Sequence, residues 1–174
     1  KAMNSRNTHD SASQNPEEEG CLGWGAIDAA LQAVYGDQQP AHYGTAIKFR
    51  LGGADPLDGI SVYRSEQGGP HWYYVTYGFS DLYGDLDDSY DIAPEKPSGY
   101  GFEMTFRLAR DAGEQEPPAW PLNFLQNMAR YVFRTGNVFA PGHWMTANGP
   151  IKTGADTLLT EMGFVPDPEL APIH

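Results

Sequence analysis

Apolar and polar residues alternate along the middle of the chain with the two-residue period of half-buried strands. In one segment Phe102, Met104, Phe106 and Leu108 share a face, which predicts that this face packs on the core. Clusters of Gly, Pro and Asp separate the segments and predict turns. The pattern predicts four strands, over residues 45–51, 59–65, 72–78 and 102–110. Two shorter strands are predicted within residues 138–145 and 157–162.

Hydrophobic residues recur with the helical period both before and after the four main strands in the sequence. This pattern predicts a first helix from about Cys21 or Trp24 to Tyr35 and a second helix that begins at Pro121 and carries an apolar stripe over residues 122–133. Antiparallel strands that are close in sequence and flanked by two or more helices indicate an α+β domain, with a mainly antiparallel meander. The predicted core is Ile27, Leu31, Val34, Ile47, Phe49, Val62, Val75, Met104, Phe106, Leu125, Val132 and Phe133.

The chain divides into a polar tail and one domain. Residues 1–20 have no apolar period and are expected to be a flexible tail, whereas residues 21–174 are expected to form the domain. Cys21 is the single cysteine, so no intrachain disulfide is possible and nothing indicates an oxidising compartment. No apolar run reaches the length of a membrane span. A cytoplasmic location is therefore expected.

The charge balance narrows the class of partner. The formal net charge is −12, which disfavours nucleic acids and anionic membranes because both are bound through Lys and Arg. The electrostatic field of such a negative chain attracts basic partners and speeds their encounter. The sequence therefore predicts a protein or peptide partner with a basic or His-bearing segment. A high negative charge is also common in proteins that simply need to stay soluble.

A dense aromatic and acidic stretch, residues 71–91, is the candidate site. Its aromatic half offers large rigid contact area, and a strand at a sheet edge also accepts a peptide by backbone pairing. Its acidic half suits a basic partner. The stretch contains no Lys or Arg and no nucleophile motif, so it lacks the set of nucleophile, base and positive group that most catalytic sites combine. The candidate partner-binding residues are Tyr73, Tyr74, Tyr77, Asp81, Tyr83, Asp85, Asp87 and Asp88.

Structural roles compete with each of these assignments. The tyrosines equally suit core and sheet packing, and the acidic loop equally suits a solvated turn in which Asp81 or Asp85 caps backbone amides. Counted from Asp85, the sixth residue is Tyr90, where a calcium loop requires glycine. Glu103 and Arg107 lie on one strand face, which favours an ion pair between them. No catalytic residue, metal ligand or cofactor site is predicted.

Four long motifs resemble the suppressor of fused family. They are LGGADPLDGISVYR (51–64), HWYYVTYGFSDLYGD (71–85), PSGYGFEMTFRL (97–108) and PPAWPLNFLQNMARYVF (117–133), and the similarity runs in order from about Tyr35 to Glu161. The resemblance implies an α+β domain without enzymatic activity that binds protein. Animal members bind zinc-finger transcription factors of Hedgehog signalling, and they contact their ligand at the positions that correspond to Ser80–Asp85.

The chain departs from the animal pattern because it ends at His174, without the second domain that forms half of their peptide cleft. The family is expected to continue past Pro172 with one or two further strands, so the resemblance implies truncation at the C-terminus. A short, single-domain bacterial member, of the kind proposed as toxin immunity proteins, is the better match. The resemblance therefore implies a non-enzymatic module that sequesters or neutralises a protein partner.

Two other functions remain open from the sequence. One is a hydrolase that uses paired carboxylates, which requires two of them about 5–9 Å apart in a cleft. The other is a scaffold within a larger assembly. The carboxylates available to the hydrolase are Asp55, Asp58, Asp81 and Asp85.

Overall fold

An antiparallel sheet of four strands lies at the centre of the structure, a computed structural model that describes residues 22–83 and 97–173. The predicted α+β class is confirmed. The helices are α1 (Leu22–Tyr35) and α2 (Trp120–Thr135). The central sheet contains β1 (Ala41–Gly44), β2 (Gly59–Ser65), β3 (His71–Tyr77) and β4 (Thr105–Ala109). A separate two-stranded sheet pairs β5 (Trp144–Thr146) with β6 (Glu161–Gly163). The predicted tail, residues 1–20, lies outside the described residues.

The strands follow one another across the sheet in chain order, as a meander. The register pairs Val62 of β2 with Tyr74 of β3, and Tyr74 with Phe106 of β4. Gly68 and Gly69 connect β2 to β3 with positive φ angles of 70° and 121°, which glycine adopts at little cost. Strand β3 is therefore central, with hydrogen-bonded neighbours on both sides.

The core consists of two layers, one on each face of this sheet. On one face α2 packs through Leu125, Ala129 and Val132 against a cluster that includes Tyr74. On the other face α1 packs through residues that include Leu31 against a cluster that contains Tyr73, Val75 and Tyr77. Successive residues of β3 alternate between the two layers. Every residue of β3 is therefore buried.

The predicted strand over residues 45–51 is wrong. A strand forms earlier, at β1, and residues 49–51 form a single 3₁₀ turn. The carbonyl of Lys48 accepts hydrogen bonds from the amides of Leu51 and Gly53 (2.9 and 3.1 Å), which curls the chain away from the sheet. Ile47 is 60% exposed and Phe49 is 43% exposed, so neither belongs to the core as predicted.

The face predicted for Phe102, Met104, Phe106 and Leu108 is confirmed, since all four pack against the layer under α2. Strand β4 begins only at Thr105, later than predicted. Before it, the amide of Met104 donates to Thr76 Oγ1 (2.8 Å) and its carbonyl accepts from the Thr76 amide (3.0 Å). The side chain of Thr76 thus replaces one bond of a regular ladder.

After β6 the chain returns to the α1 face of the sheet. Leu170 packs against the apolar layer under α1. Asp167 and Glu169 make side-chain hydrogen bonds to residues of the sheet. No helix in the described part of the chain has the length and apolarity needed to cross a bilayer.

Candidate functional site

The turn that leaves β3, residues 78–83, carries two of the predicted site residues. Phe79 and Leu82 are 1% and 2% exposed and anchor the turn in the two opposite core layers. Asp81 and Tyr83, which flank Leu82, are half-buried. The turn is thus held from both sides and still presents a carboxylate and a phenol ring toward solvent.

The carboxylate of Glu103, a half-buried residue, fixes the start of this turn. Its Oε1 accepts from the Gly78 amide (3.0 Å), the Ser80 amide (2.9 Å) and Ser80 Oγ (2.6 Å). Its Oε2 accepts from Thr76 Oγ1 (2.6 Å). Burial raises the pKa of Glu103, although these hydrogen bonds act in the opposite direction. The predicted ion pair with Arg107 is wrong, because Arg107 contacts Glu169 instead.

The segment 97–101 supports the turn from behind. Gly99 has a φ of 55°, and a Cβ there would lie 2.6 Å from the carbonyl oxygen of Phe79. The Tyr100 amide donates to that same oxygen (2.8 Å), and Ser98 Oγ accepts from the Asp81 amide (2.9 Å). A side chain at residue 99 would force the two segments apart, so glycine is required for this close approach.

Asp81 caps a backbone amide, which is the structural role that the sequence also allowed for it. Its Oδ1 accepts from the Tyr83 amide at 3.2 Å, a local turn of the kind that aspartate favours. The carboxylate is nevertheless half-buried rather than enclosed. One side chain therefore closes the turn and contributes negative charge to its surface.

Two cations lie over the ring of Tyr83. Lys48 Nζ is 2.5 Å from the phenol oxygen and 4.5 Å from the ring centre, and the Arg50 guanidinium is 4.6 Å from that centre. Such cation–π contacts stabilise an exposed pair by about 0.5–1 kcal/mol. Sequence reasoning missed both residues because it assigned them to a strand. The alternation of charged and apolar residues there gave no signal of a turn.

A small pocket of about 150 Å³ lies between the turn and this 3₁₀ segment. Asp58 and Asp81 both line it. Sites for small molecules typically enclose about 300–1,000 Å³, so this pocket suits one side chain better than a substrate. A larger cleft of about 710 Å³, beside the end of α2, has no carboxylate among the described residues that line it. Asp55 is paired with Arg130.

The predicted tyrosines of β3 lie inside the molecule. Tyr73 and Tyr74 are 0% exposed and Tyr77 is 1% exposed. Their hydroxyls donate to Asp167 (3.0 Å), to the Pro118 carbonyl (2.7 Å) and to Asp28 (2.9 Å). In this conformation their rings offer no contact surface, and a central strand offers no edge for a peptide. Their positions are those expected of tyrosines that pack in the core and the sheet.

Asp85, Asp87 and Asp88 lie outside the described residues. Tyr83 is the last described residue before them, so they follow the turn directly in sequence. Within the described residues no group of three His, Cys, Asp or Glu side chains is arranged to hold a metal ion.

Replacing Gly23 with alanine is expected to displace the turn. A Cβ at residue 23 would lie 2.3 Å from the carbonyl oxygen of Asp81 and 2.7 Å from the Cα of Leu82. The contact is with backbone, so helix α1 has to move, at a cost of about 1–3 kcal/mol in the free energy of unfolding. Urea denaturation measures this loss, and amide chemical shifts of residues 80–83 report the displacement.

Gly25 provides the matched control on the same helix. A Cβ there meets nothing within 4 Å, so Gly25→Ala is expected to stabilise the protein by up to about 1 kcal/mol through helix propensity. Equal effects of the two substitutions would contradict the close packing of α1 on the turn.

Comparison with known proteins gives a consistent result. The family model for "Suppressor of fused protein" matches residues 53–174. The Suppressor of fused homolog of Mus musculus is 39% identical over 156 residues, which are 86% of this chain and 32% of that protein. The chain therefore spans about a third of the length of this relative.

Solved structures resemble the fold as well. The crystal structure of Drosophila Suppressor of Fused matches with a TM-score of 0.78 and 35% identity, over 91% of this chain and 40% of that one. The crystal structure of the Sufu–Fu complex matches with a TM-score of 0.76 and 36% identity, over 85% of this chain and 68% of that one. The family model, the identity to the mouse relative and the shared fold agree, and the predicted resemblance is confirmed: the chain belongs to the Suppressor of fused protein family.

Proposed function

We propose that this chain is a protein-binding module that holds its partner at the turn after β3 and performs no chemical conversion. The observation that carries the proposal is the fixed turn, in which hydrogen bonds to Glu103 support the half-exposed residues Asp81 and Tyr83. One similar structure is a complex of Sufu with Fu, which supports binding of a protein. Asp85, Asp87 and Asp88 follow the turn in sequence and extend its negative charge.

A partner with a basic or His-bearing segment fits this surface best. The net charge of −12 steers such a segment toward the protein, and Asp81 lies where the acidic stretch begins. The small pocket between the turn and the 3₁₀ segment is of a size to receive one side chain of that segment. The rigid support lowers the conformational cost of binding, because the turn needs no ordering when the partner arrives.

Neutralisation of a basic toxin in the cytoplasm is the form of this function that we favour. Such a partner has the charge that Asp81 and the aspartates after Tyr83 attract, and it would bind beside the two cations at the Tyr83 ring. Asp58 and Asp81 line the small pocket, yet its volume of about 150 Å³ leaves little space for a substrate, which supports binding over hydrolysis.

Charge removal at the turn tests the proposal. Asp81→Asn with Asp85→Asn keeps an acceptor for the Tyr83 amide and removes two negative charges. We expect about three- to tenfold weaker binding of a partner captured from native lysate, at low salt, because exposed charge pairs contribute about 0.2–1 kcal/mol each. Titration of the purified partner by calorimetry at two salt concentrations measures the loss, which should shrink as salt screens the pairs.

Asp156→Asn is the matched control, since Asp156 is exposed in the loop between β5 and β6. It removes a charge at another place on the chain and should leave affinity almost unchanged. An equal loss in the control, or no loss in the double variant, would refute the assignment of the turn. Turnover of any substrate by the purified chain would refute the non-enzymatic function.

A further inference from the structure

The segment after β6 fills a polar groove on the α1 face of the sheet. We refer to residues 167–170 as the strap, and to the side chains that receive it as the acid-binding groove. The groove contains one residue of α1, one of β2, two of β3 and two of β4. These are Tyr35, Ser65, His71, Tyr73, Thr105 and Arg107.

The groove satisfies both oxygens of the Glu169 carboxylate. His71 Nε2 and Arg107 Nη2 contact Oε1 at 2.7 and 3.0 Å. Tyr35 OH and Ser65 Oγ donate to Oε2 at 2.8 and 3.1 Å. The Glu169 side chain is only 3% exposed. Four partners around one buried carboxylate constitute a built binding site, in which the charge is both paired and hydrogen-bonded.

Asp167 provides the second anchor, two residues away. Its Oδ2 accepts from Tyr73 OH (3.0 Å) and from Thr105 Oγ1. Its Oδ1 accepts from the strap's own amides at Glu169 (2.6 Å) and Leu170 (2.8 Å), which fold the strap into a turn. The ligand that the groove selects is therefore an Asp-x-Glu segment in a tight turn, followed by an apolar residue.

The strap is attached in a way that permits exchange. The contacts that anchor its two carboxylates to the sheet are made by side chains, not by strand pairing. Val165 before it is 79% exposed, and the side chain of Arg107 at the rim is 35% exposed, so solvent reaches this end of the groove. When the strap leaves, water replaces these partners, so each contact stabilises the bound strap only by the difference between its own strength and that of the hydrogen bonds to water.

We propose that the acid-binding groove is a second recognition site, which takes an Asp-x-Glu segment of a partner protein when the strap leaves. The groove is cationic at Arg107, within a chain of net charge −12, so its preference is opposite to that of the turn after β3. A partner is favoured over a second copy because a second copy would have to vacate an identical groove to lend its strap. This inference does not depend on the proposed function.

A synthetic peptide of residues 164–173, FVPDPELAPI, probes the groove. The full chain with Asp167→Asn and Glu169→Gln has a weakened strap and an intact groove. Fluorescence anisotropy should show saturable binding of labelled peptide to this variant, at least about tenfold tighter than to the wild type, in which the strap competes at high effective concentration. A peptide with the same Asp→Asn and Glu→Gln changes should bind at least about tenfold more weakly.

Equal affinity for the two peptides, or no binding to a variant that keeps the wild-type amide shifts in β2, β3 and β4, would overturn the proposal. If the variant does not fold, wild-type protein takes its place: excess peptide should speed amide exchange of Leu170 at least about fivefold, and unchanged exchange would overturn the proposal. A concentration-dependent dimer of the wild type that these substitutions abolish would overturn the choice of a partner protein over a second copy. Asp81→Asn should leave peptide affinity unchanged, which separates this site from the turn.

Discussion

Glu103→Ala is expected to lower the free energy of unfolding by about 2–4 kcal/mol, because the half-buried amides of Gly78 and Ser80 lose their acceptor and Thr76 Oγ1 keeps only the Met104 carbonyl. Urea denaturation at pH 7 measures the loss. The turn after β3 loses its support in the same variant, so partner affinity should fall even where the protein remains folded. Full stability in Glu103→Ala would contradict the supporting role of this carboxylate.

Glu103→Gln is the matched control because its amide keeps most of the geometry. The oxygen can accept from the Gly78 and Ser80 amides while the nitrogen donates to Thr76 Oγ1. We expect a loss below about 2 kcal/mol, since the hydrogen bonds persist and only the charge disappears. Similar losses in the glutamine and alanine variants would show that charge, rather than hydrogen bonding, is what the turn requires.

The pH dependence of stability distinguishes the charge from the hydrogen bonds. Burial raises the pKa of Glu103 above that of the unfolded chain, so the folded state binds more protons between the two values. Stability contributed by protonated Glu103 is therefore complete below the ordinary carboxyl pKa and falls as the pH rises through the raised one. Urea denaturation of wild type and Glu103→Gln from about pH 4 to pH 8 measures this dependence: the free energy of unfolding of the wild type should fall relative to that of the variant as the pH rises.

Tyr73→Ala is the second substitution with a large expected effect, a loss of about 3–5 kcal/mol in the free energy of unfolding. Tyr73 is 0% exposed, stands in the layer under α1 and donates to Asp167. Tyr73→Phe keeps the ring and should cost about 1–2 kcal/mol through the lost donor. Guanidinium denaturation measures both values.

Tyr43 gives the comparison for an exposed ring, since it lies on edge strand β1 and is 40% exposed. Tyr43→Ala should cost less than about 1 kcal/mol. If Tyr73→Ala were as mild as Tyr43→Ala while partner affinity fell, the ring of Tyr73 would be a contact residue rather than part of the core.

The hydrophobic pattern identified much of the fold because helices and strands each bury apolar residues at their own period. The predicted strand 59–65 coincides with β2, and the two helices begin and end within a few residues of the predictions. The false strand at residues 45–51 shows the limit of this pattern. Alternation shows which side chains are apolar, but it does not show whether another layer of the protein covers them. Ile47 is apolar and exposed, so its place in the pattern was misleading.

The candidate site was less accessible to sequence reasoning. Aromatic density in β3 suits a contact surface and a doubly covered strand equally well, and only the position of that strand between β2 and β4 decides. Nothing in the sequence indicated that Glu103 supports the turn, because its partners lie more than 20 residues earlier in the chain. Glu169 bonds to a histidine 98 residues away, a relation that no local period contains.

The order of the strands has a kinetic consequence. Each of the three strand pairs joins neighbours in sequence, so the central sheet needs no closure longer than the 27 residues between β3 and β4. The bond between Tyr35 and Glu169 spans 134 residues and needs the first helix and the strap in place together. We therefore expect the strap to dock late in assembly, so that a chain caught before this step would already have its sheet while the cationic groove is open to water.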